Sequence, residues 1–245
     1  MRKKIFVSII LSLVMANVYG QKVIVHLTSG TNVPYDASEV SEITFEEADE
    51  HDYVDLGLSV KWATCNLGAL TPSEYGNYYA WGETATKTEY SKNTYAYYNS
   101  STRAYTDIGT DISGTAYDAA HVILGGNWRM PTYTEWEELR NTGNCSWELT
   151  QMDGVNGYKV TSKKAGYTDK SIFLPAADAR DEISIGSASS YSYGSASSYS
   201  YGSYWSSSLY EYYSFDARYL NFNGSTHDMN RGDRYFGRSV RPVTE

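Results

Sequence analysis

Short apolar runs, rather than long helical periods, dominate the hydrophobic pattern of the chain. Residues 54–63 alternate apolar and polar positions over part of their length, which is typical of a half-buried strand. Residues 157–161 and 171–175 are further runs rich in strand-forming residues. The final run, Val240-Arg241-Pro242-Val243, is also apolar enough to favour the core. The pattern therefore predicts a fold built mainly from short strands.

Helical signals are confined to the middle of the chain. Asp118 is suited to cap a short helix over residues 119–123, which Gly125 and Gly126 would stop. Thr132 and Glu135 have the spacing of a capping box for a second helix over residues 131–140, with Gly143 beyond it. Trp136 and Leu139 lie one turn apart and predict the buried stripe of that helix.

The chain begins with features of an exported protein. Residues 1–20 combine Arg2, Lys3 and Lys4 with a short apolar core and a small-residue cleavage context, which predicts a signal peptide. The apolar run is too short to span a bilayer, which needs roughly 20 residues. We expect no transmembrane segment and an exported protein, whether secreted, periplasmic or associated with the cell surface.

Three segments follow the predicted signal peptide. Strand-like runs at 23–27, 33–35 and 43–45 predict a small β-module over residues 21–46. Residues 47–52 are largely acidic, show no apolar period and are interpreted as a linker. Residues 53–245 are then long enough for one domain with its own core.

Two stretches of that domain lack a defensible period. Residues 87–114 are polar and rich in tyrosine, and we interpret them as a long surface loop. The octapeptide at 186–193 recurs unchanged at 194–201. Two copies are too few for a solenoid, so this repeat predicts a surface loop that either extends a recognition surface or records replication slippage.

Composition narrows the choice of partner. The formal net charge of −9 argues against nucleic acid, because affinity for phosphates comes largely from Lys and Arg. The 25 tyrosines indicate a folded chain with aromatic surfaces rather than a disordered one.

The last forty residues have an unusual composition. All lysines lie at or before Lys170, whereas five arginines fall in the last 28 residues. Residues 206–243 contain no Lys and no Gln, one Glu (Glu211) and one Met (Met229). Tyr, Ser, Gly, Asn and Arg fill the segment, and this mixture is typical of binding loops.

We therefore predict a ligand-binding surface in this segment. The aromatic, Arg, Asn, His and Asp side chains assigned to it are Tyr210, Tyr212, Tyr213, Phe215, Arg218, Tyr219, Asn221, Asn223, His227, Asp228, Arg231, Asp233, Arg234 and Arg238. Some of these could instead pack inside, as we expect for Leu220, Phe222, Val240 and Val243. The tripeptide Arg231-Gly232-Asp233 arises easily by chance in such a segment.

Signals for other chemistry are weak. Cys65 and Cys145 could form a disulfide in an oxidising compartment, or could be two separate small buried residues. The histidines lack the spacing of a zinc site, and there is no nucleophile elbow or phosphate-binding glycine loop. Asp178 with Asp181 could do acid–base work, and Asp107 with Asp111 could contact calcium, although surface Asp residues are mostly solvated. We expect no catalytic residue, no metal and no cofactor.

Six spaced motifs fall in a recognisable order. They are Trp62-Ala63-Thr64-Cys65-Asn66-Leu67-Gly68-Ala69, Tyr79-Ala80-Trp81-Gly82-Glu83, Gly126-Asn127-Trp128-Arg129-Met130-Pro131-Thr132, Phe173-Leu174-Pro175-Ala176-Ala177, Tyr204-Trp205-Ser206-Ser207-Ser208 and Ser239-Val240-Arg241-Pro242-Val243. Together they resemble the major paralogous domain (FISUMP) family of exported bacterial proteins. That family is similar to the C-type-lectin-like fold related to the formylglycine-generating enzyme.

The resemblance covers residues 53–243 and implies an α+β, C-type-lectin-like domain with few helices, a small twisted antiparallel sheet and long loops, preceded by the small β-module. The last motif would be a closing core strand. Trp62, Trp128, Trp136 and Trp205 are assigned to packing, and Arg129 to a buried structural pair. The calcium-binding sequences of lectins with this fold are missing, so calcium-dependent sugar binding is not implied.

The final segment also resembles targets of diversity-generating retroelements. Their variable positions cannot encode Lys, Glu, Gln, Met or Trp, which matches residues 206–243 except at Glu211 and Met229. We thus expect an exported, non-enzymatic ligand-binding or adhesion protein with an unidentified protein or glycan ligand. The alternatives are a carbohydrate-binding accessory module, a structural surface protein without a dedicated site, and a residual enzyme. The sequence leaves the oligomeric state open.

Overall fold

The computed structural model describes the backbone of residues 22–26 and 32–36, and residues 52–180 and 201–245 with their side chains. The chain divides into two compact units, Met1–Ala48 and Asp49–Glu245. In the first unit, β1 (Lys22–His26) pairs antiparallel with β2 (Asn32–Asp36). The predicted signal peptide, the strand predicted at 43–45 and all of the predicted linker except Asp52 lie outside the described residues.

The second unit consists of short strands and two α-helices in its described part. Its elements are β3 (Tyr53–Val54), β4 (Lys61–Ala63), a 3-10 helix (Lys92–Thr94), β5 (Tyr98–Asn99), β6 (Ala104–Tyr105), α1 (Ala119–Leu124), α2 (Tyr133–Arg140), β7 (Cys145–Met152), β8 (Val155–Ser162), β9 (Ser171–Pro175), β10 (Ala179–Arg180), β11 (Gly202–Leu209), β12 (Asp216–Phe222), β13 (His227–Asp233), β14 (Gly237–Arg238) and β15 (Val243–Thr244).

The strands of this unit pair antiparallel in several small sheets. Three-stranded sheets have the orders β15-β4-β3, β7-β8-β9 and β11-β12-β13, and β10 pairs with β14 and β5 with β6. The predicted mixed α+β class with few helices is therefore confirmed at this coarse level. No helix in the described residues is long and apolar enough to cross a membrane.

Both helices begin at the predicted N-cap residues. Asp118 accepts hydrogen bonds from the backbone N–H of Ala120 and His121, which begins α1, and Gly125 ends it. Thr132 and Glu135 make the predicted capping box of α2. That helix ends at Arg140, as predicted, and its C-cap is Asn141, whose backbone N–H bonds to the carbonyl of Glu137.

The core is rich in aromatic side chains. One cluster contains Trp62, Trp136, Tyr204 and Phe222, with the Trp62 and Trp136 ring centroids 4.6 Å apart. A second cluster contains Trp81 and Trp205, and Trp136 joins the two by donating from Nε1 to the carbonyl of Trp205 at 3.2 Å. Leu220, Phe222, Val240 and Val243 are fully buried, as predicted. Trp128 is half-buried.

Two predicted segments need correction. Residues 87–114 are not simply a surface loop, because Tyr90, Tyr95, Ile108 and Ile112 are buried. The tyrosine-rich composition concealed this packing, since tyrosine suits a surface and a core equally well when its hydroxyl finds a partner. The hydroxyl of Tyr95, for example, donates to the carbonyl of Trp81 at 2.6 Å. Strand β7 was also not predicted, and most of its side chains remain at least partly exposed.

Candidate ligand-binding surface

The hairpin that joins β11 to β12 carries an exposed aromatic ridge, formed by Tyr210, Tyr212, Tyr213 and Phe215. The backbone N–H of Tyr210 bonds to the carbonyl of Asp216 at 3.1 Å, and the N–H of Asp216 bonds to the carbonyl of Tyr213 at 3.1 Å. These bonds close a loop that lies outside the core, so that the side chains of residues 211–215 are exposed. Tyr212 is 73% exposed, Tyr213 46% and Phe215 40%.

The rings of the aromatic ridge contact one another. Tyr213 and Phe215 stack with centroids 5.2 Å apart, and Tyr210 contacts Tyr212 edge-on at 5.4 Å. Aromatic pairs of this kind contribute about 0.5–1.5 kcal/mol beyond the area they bury. The ridge is therefore partly ordered before any ligand arrives, which lowers the entropic cost of binding.

Two arginines support the aromatic ridge. The Arg218 guanidinium lies 4.5 Å from the Tyr210 ring centroid and 4.7 Å from that of Tyr133. The Arg231 guanidinium lies 4.8 Å from Tyr210 and 4.9 Å from Tyr213. Each cation attracts the electron-rich ring faces and so fixes the ring orientations.

Both arginines also have a carboxylate partner. Arg218 bonds to Glu211 at 2.7 Å, and Arg231 forms a short ion pair with Asp216. Asp216 is buried, whereas the Glu211 side chain is 54% exposed. The positive charge under the ridge is consequently compensated, and the ridge does not present a bare cationic surface.

A polar groove of about 360 Å³ opens beside the aromatic ridge. Its lining residues come from four segments of the chain and are Asp111, Thr132, Tyr133, Thr134, Ser208, Leu209, Glu211 and Arg218. We call the groove polar because six of its eight lining residues carry a hydroxyl or a carboxylate, although apolar atoms make up the larger share of its surface. The volume lies within the range of about 300–1,000 Å³ for small-molecule pockets. No sequence pattern indicated the groove, because its walls come together only through tertiary packing.

Arg234 and Arg238 were predicted to contact ligand, and the structure corrects both predictions. They are 1% and 4% exposed. Arg234 donates to the hydroxyl of Tyr95 at 2.9 Å and to the carbonyls of Ser214 and Thr106 at 3.0 and 3.3 Å. A guanidinium carries five donors, so backbone carbonyls can satisfy it inside a protein. Arg234 thus holds the loop of the aromatic ridge from below.

Arg238 lies among aromatic rings. Its guanidinium is 3.6 Å from the Tyr219 ring centroid and 4.8 Å from that of Trp205, and it makes a short hydrogen bond to Ser203. Burial lowers the pKa of Arg238 below its usual value, and the neighbouring Tyr219 opposes that shift. Tyr219 is half-buried against the second core cluster, so its ring is largely committed to packing.

A second group of predicted residues lies at the opposite end of β12 and β13. Asn223 closes the turn by accepting from the N–H of Ser225 and Thr226, and Asp228 pairs with Arg140 at 2.7 Å. His227 stacks on Trp147 with centroids 4.4 Å apart, and burial lowers the pKa of His227. Asn221 is half-buried on β12.

This second group does not belong to the same site as the aromatic ridge. Strand β12 has seven residues, and at about 3.3 Å per residue it holds its two ends roughly 20 Å apart. One small ligand therefore cannot contact both groups. Asp233 lies near the ridge, opposite Asp216 on the paired strand, where burial and the nearby Asp216 raise the pKa of Asp233.

The remaining chemistry is structural in the described residues. Cys65 and Cys145 are both free and buried, so the possible disulfide is not formed, and they are two separate small buried residues. Arg129 pairs with Glu135 at 2.6 Å, as predicted. The Oδ1 atoms of Asp107 and Asp111 each accept from the backbone N–H two residues ahead. Within residues 52–180 and 201–245, no three His, Cys, Asp or Glu side chains are placed to hold a metal ion. Asp181 lies outside the described residues.

Comparison with protein-family models, with curated proteins and with solved structures finds no match for this chain.

Proposed function

We propose that this chain is an exported, non-enzymatic ligand-binding or adhesion protein that presents the aromatic ridge on a C-type-lectin-like scaffold. The observation that carries the proposal is the exposure of Tyr212, Tyr213 and Phe215 side by side on one hairpin. Exposed apolar side chains scattered singly are ordinary, whereas a contiguous group indicates an interaction site. Tyr and Arg are also the residue types enriched at binding hot spots.

The support beneath the ridge favours the same proposal. Arg218 and Arg231 stack on its rings from one side, and the buried Arg234 binds the carbonyl of Ser214 in its loop. A surface used for recognition benefits from such ordering, because less conformational entropy is lost on binding.

Two features support the lectin-like scaffold. The resemblance implies a closing core strand at the end of the chain, and β15 pairs with β4, with Val243 opposite Trp62. The aromatic residues of the resembling motifs also have packing roles: Trp62, Trp81 and Trp205 are fully buried.

Retroelement diversification of the final segment is a further part of the proposal. Met229 packs against the first core cluster, which fits a position that is held fixed. Glu211 instead lies exposed between the ridge tyrosines, and its pairing with Arg218 is the reason we give for its retention. A reverse-transcriptase gene and a near-copy of the segment beside the gene would support diversification, and their absence would exclude it.

The test of the binding surface is substitution of its most exposed ring. Tyr212→Ala should weaken binding of the mature protein to cells or to a glycan array by roughly tenfold or more, the loss typical of a hot-spot aromatic. Tyr53→Ala is the matched control, because Tyr53 is 52% exposed and lies outside the ridge. Equal binding by both variants and the unaltered protein would reject the ridge as the binding surface.

A further inference from the structure

We infer that the polar groove beside the aromatic ridge binds a neutral saccharide, an inference that rests on the proposed binding function and names the ligand class. A sugar ring has hydroxyls around its edge and C–H groups on its faces. A matching site needs hydrogen-bond acceptors and donors together with some apolar surface, and it needs no net positive charge.

The groove supplies the hydrogen-bonding groups. Asp111 and Glu211 contribute carboxylates, which accept from hydroxyl donors, and Thr134 and Ser208 contribute hydroxyls. The Ser208 hydroxyl accepts from the N–H of Tyr133 at 3.0 Å and can donate to a ligand. The Thr134 hydroxyl shares a hydrogen bond with that of Thr132 at 3.1 Å. The Oδ1 atom of Asp111 is occupied by the N–H of Ser113 at 3.0 Å, which leaves Oδ2 as the oxygen available to a ligand. Carboxylate acceptors give the stronger, charge-assisted class of hydrogen bond.

The charges favour a neutral ligand over an acidic one. Arg218 is the cation of the groove, and its Nη2 atom contacts both oxygens of Glu211 at 2.7 and 2.8 Å. Asp111 adds a further negative charge, so an acidic sugar would be repelled. Tyr133 and Leu209 provide the apolar surface for the C–H face.

Two pairs of matched variants test the groove in the full mature protein. Thr134→Trp would fill it from the exposed first turn of α2, and we expect neutral-glycan binding on an array to weaken at least about tenfold. Thr142→Trp places the same ring on another exposed threonine and should leave glycan binding unchanged.

Asp111→Asn keeps the turn acceptor but loses the carboxylate, so we expect glycan binding to be weaker by roughly tenfold. Asp107→Asn is its control, because Asp107 makes the same turn outside the groove.

A third variant should alter specificity. Glu211→Gln removes the partner of Arg218, which stays held between Tyr133 and Tyr210. Binding to uronic-acid or sialylated glycans should then appear, a gain that loss of folding cannot produce.

The outcomes separate this inference from the proposed function. Neutral-glycan binding that Thr134→Trp and Asp111→Asn reduce would support the groove. Binding only to acidic glycans, or neutral binding indifferent to both variants, would overturn it. Cell binding that depends on Tyr212, survives periodate and disappears after protease treatment would point to a protein ligand, overturning the groove while leaving the ridge in place. No binding to glycans or cells would overturn both.

Discussion

Arg241 joins three segments that are distant along the chain. Its guanidinium donates to the carbonyls of Ala63 and Thr64 at 2.9 and 2.6 Å, to that of Phe173 at 2.7 Å and to the side chain of Asn66 at 2.9 Å. The residue is fully buried, and burial lowers its pKa. A buried cation of this kind is tolerable because each of its three nitrogens donates to at least one oxygen.

Replacing Arg241 should therefore be costly. Arg241→Ala leaves several buried oxygens without donors, and we expect the free energy of unfolding to fall by about 3–5 kcal/mol. Lys170→Ala removes an exposed cation whose partner Asp169 is also exposed, and we expect little change in the free energy of unfolding. Chemical denaturation of both variants measures the difference, and equal losses would contradict the structural role of Arg241.

The buried thiols lead to a second prediction at this scale. Burial raises the pKa of Cys145 from 9.0 to about 11. Because the thiolate is the reactive form, we expect Cys145 to resist alkylation in the folded protein at neutral pH and to react once denaturant is added. Mass spectrometry of alkylated protein tests this, and rapid native labelling would contradict the burial.

The arginine-rich composition at the end of the chain does not reveal which of these arginines are buried and which are exposed. Arg218 and Arg231 contact rings of the ridge and stay at least partly exposed, whereas Arg234, Arg238 and Arg241 are buried. For Arg234 and Arg241 the deciding partners include backbone carbonyls, which every residue possesses, so no pattern of side chains marks them. Arg238 instead lies among aromatic rings that come from distant segments. A structural pair was predicted for Arg129 because it lies within an apolar motif, but its partner, Glu135, was identified only from the structure.

At the scale of elements, Asp118 does more than begin α1. Its Oδ1 accepts from the N–H of Ala120 and His121, and its Oδ2 accepts from those of Gly114 and Met130 at 2.9 and 2.8 Å. The carboxylate thus fastens the preceding loop and the segment before α2 to the start of a six-residue helix. Such a short helix has little stability of its own and depends on these contacts.

An amide cannot replace this carboxylate. In Asp118→Asn the NH2 group must face two backbone N–H donors in either orientation, so we expect a loss of about 2–4 kcal/mol. Asp107→Asn keeps its one acceptor role and should be close to neutral. Thermal unfolding of the two variants provides the test, and a neutral Asp118→Asn would show that the four bonds matter little.

Local signals predicted the elements that depend on local chemistry. Both helix caps and strand β9 lie where the sequence placed them. Strand β7 was missed although Cys145, Trp147 and Leu149 alternate with polar residues over positions 145–150, a strand pattern that was overlooked. Its pairing with β8 supplies the order. The groove was missed for a different reason: Asp111, Tyr133 and Ser208 meet only after the strands have packed.

For the molecule as a whole, buried tyrosines predict sensitivity to alkali. Burial raises the pKa of Tyr78 from 10.0 to about 12, and its hydroxyl donates to the carbonyl of Ala177 at 2.6 Å. Burial also raises the pKa values of Tyr95 and Tyr204. Since the unfolded state releases these protons first, the stability they contribute is complete below about pH 10 and is lost as the pH rises through the folded pKa.

We therefore expect the free energy of unfolding to fall between pH 10 and 12, with on the order of 2 kcal/mol from Tyr78 alone. Tyr78→Phe should flatten the slope over that window, although it loses a hydrogen bond worth about 1 kcal/mol. Tyr212→Phe alters an exposed ring and should leave the slope unchanged. Denaturation curves across the window decide the matter, and an unaltered slope for Tyr78→Phe would contradict the assignment.

Arg241 donates to the main-chain oxygens of Ala63, Thr64 and Phe173, and Arg234 donates to those of Thr106 and Ser214. Those oxygens persist whatever side chain the residue bears. The side chains of Thr106 and Ser214 are exposed and can therefore change without removing the hydrogen bonds to Arg234, whereas Ala63 and Phe173 are also constrained by burial. The arginine itself has no close substitute. The hairpin that carries the aromatic ridge can therefore vary in sequence at its tip, because such substitutions leave the hydrogen bond between Arg234 and its backbone in place.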